Sequence, residues 1–226
     1  MNSAPSQRLA SIRQRIAVAA QGRPATLVAV SKTQPAARMR EMHAAGQSVF
    51  GENYVQEALG KMAELPDCAI EWHLIGPLQS NKCPEAARQF DWVQSIDREK
   101  LIPLLAKYRP ADRAALNLLV QVNIDDEASK SGCTPAQVEA LAAAIATQPR
   151  LRLRGLMAIP RPTADPAQRR DAFRRMRELF ERTRELHPQV DTLSMGMSDD
   201  FAIAIEEGAN LVRIGSALFG PRNPPA

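Results

Sequence analysis

The sequence predicts an α/β fold: a single (β/α)8 barrel of the TIM type carrying an extra N-terminal helix. Three observations lead there. Short apolar runs alternate with helix-patterned stretches along the whole chain, the runs number eight, and each run with its following helix takes fewer than about thirty residues. Strict alternation calls for a parallel sheet with right-handed crossovers, and a count of eight favours closure over an open sheet. At 226 residues the chain matches one such unit, read as one domain over 1–226.

The elements follow in order. Residues 1–22 read as an amphipathic helix whose stripe of Leu9, Ile12 and Ile16 packs on the barrel. The apolar runs lie at 27–32, 48–51, 70–75, 91–95, 116–124, 151–158, 190–194 and 210–214, and the helices between them at 35–45, 53–64, 81–89, 98–108, 134–147, 166–186 and 198–207. Local signals agree. Thr134-Pro135 places a cap and an N1 proline at the start of the helix after the fifth run, Ser198 with Asp199 and Asp200 reads as an N-cap with first-turn acids, and Gly208 reads as the glycine that ends that helix. The helix at 166–186 is rich in arginine, but Asp171, Glu178, Glu181 and Glu185 stand at pairing distance along it. Phe173, Met176, Leu179, Phe180 and Leu186 form its apolar stripe, so it reads as an outer barrel helix with a solvated charged face. The tail from Gly220 to Pro225 reads as a terminator.

Composition narrows the function classes. Hydrophobic residues are 45% and charged residues 24%, ordinary for a folded soluble protein, and the net charge of +4 lacks the clustered basic stripe of a nucleic-acid binder. Three widely spaced cysteines, Cys68, Cys83 and Cys133, suggest neither a disulfide framework nor a zinc site and fit a reducing cytoplasm. Arg8, Arg13 and Arg15 interrupt any signal-peptide core, no apolar run is long enough to cross a bilayer, and neither a GxGxxG nor a P-loop is present.

The chemistry concentrates at strand ends. Lys32 closes the apolar stripe of Val28 and Val30, where poor hydration favours a neutral, carbonyl-reactive amine; the competing account is a lysine snorkelling to water. At the far end of the chain, Ser194-Met195-Gly196-Met197-Ser198 and Arg213-Ile214-Gly215-Ser216 put turn glycines, N–H groups and hydroxyls after the last two strands, where such barrels commonly hold phosphate. Met197, Ser198, Gly215 and Ser216 are therefore candidate anion contacts, opposed by the charges of Asp199 and Asp200 unless these point away. Arg213 ends the eighth strand, beside the first when the barrel closes. A fixed cation near Lys32 would hold a facing ring nitrogen in its neutral, accepting form, whereas the plainer account is a rim salt bridge. Asn53 and His73, at the second and third strand ends, are further candidate ligand contacts, and His73 could equally be a satisfied core histidine. The histidines His43, His73 and His187 show no metal-ligand spacing.

Several segments together resemble the YggS/PROSC family of pyridoxal 5′-phosphate (PLP) homeostasis proteins, whose fold is similar to the N-terminal barrel of alanine racemase. They are Ala29-Val30-Ser31-Lys32-Thr33, Phe50-Gly51-Glu52-Asn53-Tyr54, Trp72-His73-Leu74-Ile75-Gly76-Pro77, Gly155-Leu156-Met157-Ala158-Ile159-Pro160, Met195-Gly196-Met197-Ser198-Asp199-Asp200 and Val212-Arg213-Ile214-Gly215. The resemblance implies a fold type III PLP-binding barrel in which Lys32 forms the Schiff base, Ser198, Gly215 and Ser216 help bind the phosphate, and Arg213 faces the pyridine nitrogen. It also implies a protein that buffers or delivers PLP to PLP-dependent apo-enzymes without an established reaction; the composition and the barrel add the expectation of a cytoplasmic protein, a monomer, without nucleic-acid or membrane partners. The alternatives are a PLP-dependent amino-acid racemase or decarboxylase, and a lysine-dependent aldolase on a phosphorylated sugar. Lys82 and Lys130, in loops on the same face, are weaker candidates for a transient PLP contact.

Overall fold

The computed structural model describes residues 4–127 and 130–220. The tail expected to act as a terminator lies outside them except for Gly220, as do the first three residues of the expected N-terminal helix. Eight parallel strands pair in sequence order and close into a barrel: β1 (Thr26–Val30), β2 (Val49–Glu52), β3 (Glu71–Leu74), β4 (Trp92–Ile96), β5 (Leu116–Val122), β6 (Leu151–Ala158), β7 (Thr192–Ser194) and β8 (Leu211–Ile214). The closing pair runs from Thr26↔Leu211 to Ala29↔Ile214, with Val28 opposite Arg213. All eight expected strands are present, and the alternation of strand and helix is the one the sequence predicts.

The helices are α1 (Pro5–Ala20), α2 (Ala36–Ala44), α3 (Val55–Glu64), α4 (Cys83–Gln89), α5 (Leu101–Tyr108), α6 (Val138–Ala146), α7 (Pro166–Leu186), α8 (Phe201–Glu206) and a short α9 (Ser216–Phe219), which the sequence pattern did not reveal. Helix α1 packs on α8 and α9 through buried Leu9, Ile12 and Ile16, and Arg8 Nε donates to the Leu218 carbonyl at 2.5 Å. Before α6, Thr134 donates its N–H to the Gln137 side chain across a 3-10 turn, Pro135–Gln137, so the α-helix proper starts later than its cap suggested.

Helix α7 matches its predicted span. Asp165 caps it by accepting the Ala167 N–H at 2.9 Å, and Phe173, Met176, Leu179 and Phe180 are buried against the sheet. Leu186 departs from the expected stripe: it is the last residue of the helix and is 60% exposed. The arginines engage acids of their own helix as expected, Arg175 with Asp171 at 3.0 Å among them, and acids of other elements besides, Arg170 with Glu207 at 2.8 Å and Arg175 with Asp125 at 2.6 Å.

One large apolar core lies between sheet and helices, and a small second cluster of Trp92, Leu119 and Met157 is separate from it. At Gly155 the backbone takes φ +150°, and a Cβ would stand 1.9 Å from the Thr192 carbonyl oxygen. Only glycine fits there, next to a register shift in the β5–β6 ladder. Among the described residues no helix is long and apolar enough to cross a membrane.

Candidate functional site

The first strand ends sooner than its apolar pattern suggested. Lys32 lies in a turn beyond β1, in which Thr33 adopts φ +63° and the Gln34 N–H closes on the Ser31 carbonyl at 3.0 Å. A buried polar cluster anchors this turn. Lys61 of α3 donates to the Ser31 carbonyl at 2.7 Å, to Glu52 at 2.7 Å and to Glu57 at 2.6 Å, while Ser31 Oγ donates to Glu52 at 2.6 Å and the Thr33 N–H to Glu57 at 2.5 Å. Burial pushes the Glu52 carboxyl above its ordinary range, opposed by Lys61. Each of these residues stands in the sequence without a signal of its role, because the partners come from β2, α3 and the β1 turn and meet only on folding.

Lys32 is half-buried and lines a cleft of about 280 Å³ together with Met197, Ser198, Arg213, Gly215 and Ser216. That volume is at the small end of the roughly 300–1,000 Å³ typical of small-molecule sites. The structure thus brings together six of the residues singled out from sequence, drawn from the ends of β1, β7 and β8. Ser216 Oγ lies 3.1 Å from Ser198 Oγ, so the two hydroxyls converge from separate loops. Gly196 takes φ +95°, and a Cβ there would stand 2.6 Å from the Ala204 Cβ. Gly215 serves differently from the tight turn expected: its φ is an ordinary −116°, and glycine is favoured because a Cβ would approach the Val30 carbonyl oxygen to 3.2 Å.

Arg213 is 3% exposed, donates to Ser194 Oγ at 2.5 Å and to the Ala158 carbonyl at 2.9 Å, and has no carboxylate within ion-pair distance among the described residues. Burial lowers its pKa to about 10, which still leaves it protonated at neutral pH. A rim salt bridge therefore does not describe it. A buried cation that lines a cleft, with Asp200 near enough to favour its charge but no carboxylate in direct contact, suits an anionic or electron-rich ligand.

The acids next to the cleft divide. Asp199 is exposed and lines it, whereas Asp200 turns back and accepts the Met197 N–H at 2.6 Å. Burial raises the Asp200 carboxyl above its ordinary value, against the pull of that N–H. Two expectations change accordingly. The Met197 N–H is held by a side chain of its own loop, and Ser198 lies in a turn ahead of α8 rather than capping it, so the helix begins three residues later than read.

Asn53 and His73 do not line the cleft. Asn53 is half-buried at the end of β2, its carbonyl pressed so close to Gly76 that a Cβ there would stand 2.2 Å away. His73 is fully buried between Glu71 and Gln94 and stacks on Trp92 with ring centroids 5.1 Å apart. Lys82 and Lys130 follow β3 and β5, on the strand-end face, yet neither lines the cleft. A larger groove of about 630 Å³ beside α7 offers little unmatched charge, since Arg175 already pairs with Asp125 and Asp171. No three His, Cys, Asp or Glu residues among those described form a metal site.

The geometry can be compared with known proteins. Residues 7–223 match the family model for the N-terminal domain of alanine racemase. The chain is 56% identical to the pyridoxal phosphate homeostasis protein of Pseudomonas aeruginosa, covering 96% of both chains, and 49% identical to that of Escherichia coli K12 over 95% of both. It superposes on PipY of Synechococcus elongatus, solved with PLP bound, with a TM-score of 0.85 and 36% identity over 96% of this chain and all of that one. A strand-end cleft that joins a lysine to a buried arginine, on a barrel matched over nearly its whole length by these relatives, places the chain in the pyridoxal phosphate homeostasis protein family.

Proposed function

We propose that this protein binds PLP in the Lys32–Arg213 cleft and serves PLP homeostasis, holding the cofactor and releasing it to apo-enzymes without turning over a substrate of its own. The relatives named for this role and the PLP-bound neighbour support the first part. The observation that carries the reading is the buried Arg213, in direct contact with no carboxylate, in one cleft with Lys32.

The residues present fit the cofactor. Lys32 would supply the amine for covalent capture, Ser198, Ser216 and the close approach at Gly215 would receive the phosphate, and Arg213 would face the ring nitrogen. When bound, PLP supplies an aldehyde that condenses reversibly with amines and, if its ring nitrogen is protonated, an electron sink. A guanidinium can only donate, so Arg213 would keep that nitrogen unprotonated and favour holding over turnover. The anchored turn over Glu52 and Lys61 fixes the backbone on either side of Lys32, the residue that would hold the cofactor's aldehyde.

A carrier accords with the acid–base groups near the cleft. Tyr54 is 62% exposed and Tyr108 sits at the end of α5 under Arg88 and Lys107, so neither lines the cleft to oppose Lys32 across a substrate carbon. We further propose that the protein works as one domain and as a monomer in the cytoplasm, with PLP and PLP-dependent apo-enzymes as its partners. Borohydride reduction of PLP-loaded protein followed by peptide mass mapping is expected to put the adduct on Lys32. An adduct on Lys82 or Lys130 instead, or deuterium exchange at the Cα of an amino acid incubated with the loaded protein, would overturn the corresponding half of the proposal.

A further inference from the structure

Arg213 does not end at Ser194. Ser194 Oγ donates to Gln94 Oε1 at 2.7 Å, Gln94 Nε2 lies 2.7 Å from His73 Nδ1, and His73 Nε2 lies 2.8 Å from Glu71 Oε1. Four hydrogen bonds therefore join Arg213 to Glu71 through three intervening side chains without a gap. His73, Gln94 and Ser194 are 0% exposed. Strands β4 and β7 are not neighbours in the barrel, so the bond from Gln94 to Ser194 crosses its interior. The series runs from the cleft to Glu71, which opens β3 at the opposite end of the barrel.

The direction of every bond is forced. Arginine has no acceptor, so Ser194 Oγ must accept from it and spend its own proton on Gln94 Oε1. That leaves the Gln94 amide nitrogen toward His73, whose Nδ1 must be bare and whose single proton sits on Nε2, donated to Glu71. The polarity matches the end charges, a cation where the donors begin and a carboxylate where they finish, so the bonds polarise one another in one sense.

We propose that Ser194, Gln94 and His73 are positioning residues for Arg213: with Glu71 they form a one-way hydrogen-bond series through the barrel that holds the guanidinium against the cleft only while His73 carries a single proton. The proposal deepens the PLP reading of the cleft and rests on it. A doubly protonated His73 would turn Nδ1–H against the Gln94 N–H2. The amide would have to rotate, Ser194 would then face two donors with its own proton orphaned, and the grip on Arg213 would loosen. Burial pushes His73 below the ordinary histidine value, as a bare Nδ1 requires. The charged groups facing it are Glu71 and Asp91, which favour a second proton, and the cations Arg213, through the series, and Arg154, over the Trp92 ring, which oppose one.

Two measurements test this, one without PLP. With only three histidines, the ring protons of His73 are assigned in the NMR spectrum as those absent from His73→Asn. In cofactor-free protein Ser194→Ala frees the Gln94 amide to offer its oxygen to an imidazolium. The His73 midpoint is then expected to rise by more than about half a unit, roughly threefold in proton affinity. In PLP-loaded protein His73→Leu is expected to weaken retention about tenfold and shift the visible band, through the unmet Gln94 donor. His73→Asn, whose amide oxygen stands near the place of Nδ1, is expected to recover most of that loss. A His73 midpoint unmoved by Ser194→Ala overturns the series, and equal loss in the Leu and Asn variants reduces His73 to packing. A wild-type protein that takes up no PLP removes the reading of the cleft, while the NMR titration still decides the series by itself.

Discussion

At the scale of single residues, burial decides which charges are available. His73, Glu52 and Arg213 are all buried, and burial displaces each toward its neutral form; His73 is the one whose ordinary value, 6.5, starts nearest neutral pH. Its folded-state pKa is depressed, so the unfolded chain takes up this proton first as pH falls. The stability it contributes is full above about pH 6.5 and is lost as pH drops through the native value, with a slope of at most about 1.4 kcal/mol per pH unit. Glu71, held below the ordinary carboxylate range chiefly by its bond to His73, adds a separate loss at lower pH, under its ordinary value of 4.5. Urea midpoints measured between pH 5 and pH 7 are expected to fall with acid in the wild type and to stay flatter in His73→Asn. Identical slopes would mean that His73 keeps its proton affinity on folding. The sequence marked His73 as either a ligand contact or a core histidine, and could not choose, because its neighbour Gln94 comes from the next strand and the continuation through Ser194 from the far side of the barrel.

At the scale of elements, the loops that follow β7 and β8 are shaped by backbone approach more than by helix ends. The sequence marked Gly196 and Ser198 correctly as a strand-end turn but read Ser198 as a helix cap, since a serine followed by two acids is the usual signature. The side chain of Asp200 settled the matter by taking the Met197 N–H, which delays α8 until Phe201. Gly196→Ala forces an alanine into φ +95° with its Cβ against Ala204, at a strain of about 1–3 kcal/mol. It is expected to lower PLP retention as well as the melting temperature. Asp165→Ala, which removes the α7 cap and does not itself line the cleft, is expected to cost about 1 kcal/mol in urea denaturation while leaving retention intact. If both variants lose cofactor in proportion to stability, the turn at Gly196 has no special bearing on the site.

At the scale of the whole molecule, closure of β1 on β8 is what makes a site at all, because it brings Arg213 opposite Val28 on the strand that leads to Lys32. The residues at the two ends of the cleft lie far apart in sequence and near in space only through this pairing. Helix α1 covers α8 and α9, the helices that follow the Ser198 turn and Gly215, and Arg38 of α2 adds a bond to the Phe219 carbonyl at 2.7 Å. Ile12→Ala, at 4% exposure, is therefore expected to cost about 2–5 kcal/mol. The visible band of bound PLP and the far-ultraviolet circular dichroism are expected to vanish at one denaturant concentration. Two separate transitions would show that α1 and the barrel do not unfold as a unit.

Periodicity and strand-end chemistry were enough by themselves to determine the eight-strand count, the parallel order, the outer helices, and Lys32 with Arg213 and the two serine loops as neighbours. Those features are local, or follow from closing a sheet of known order, so the linear pattern contains them. Tertiary structure alone decided that Glu52 and Lys61 anchor the lysine turn, that Asp200 occupies the Met197 N–H, and that Arg213 connects through Ser194 and Gln94 to His73. These are contacts between side chains on separate elements, up to 100 positions apart for Ser194 and Gln94, and their existence depends on register, rotamer and burial. None of those three leaves a periodic trace in the order of amino acids.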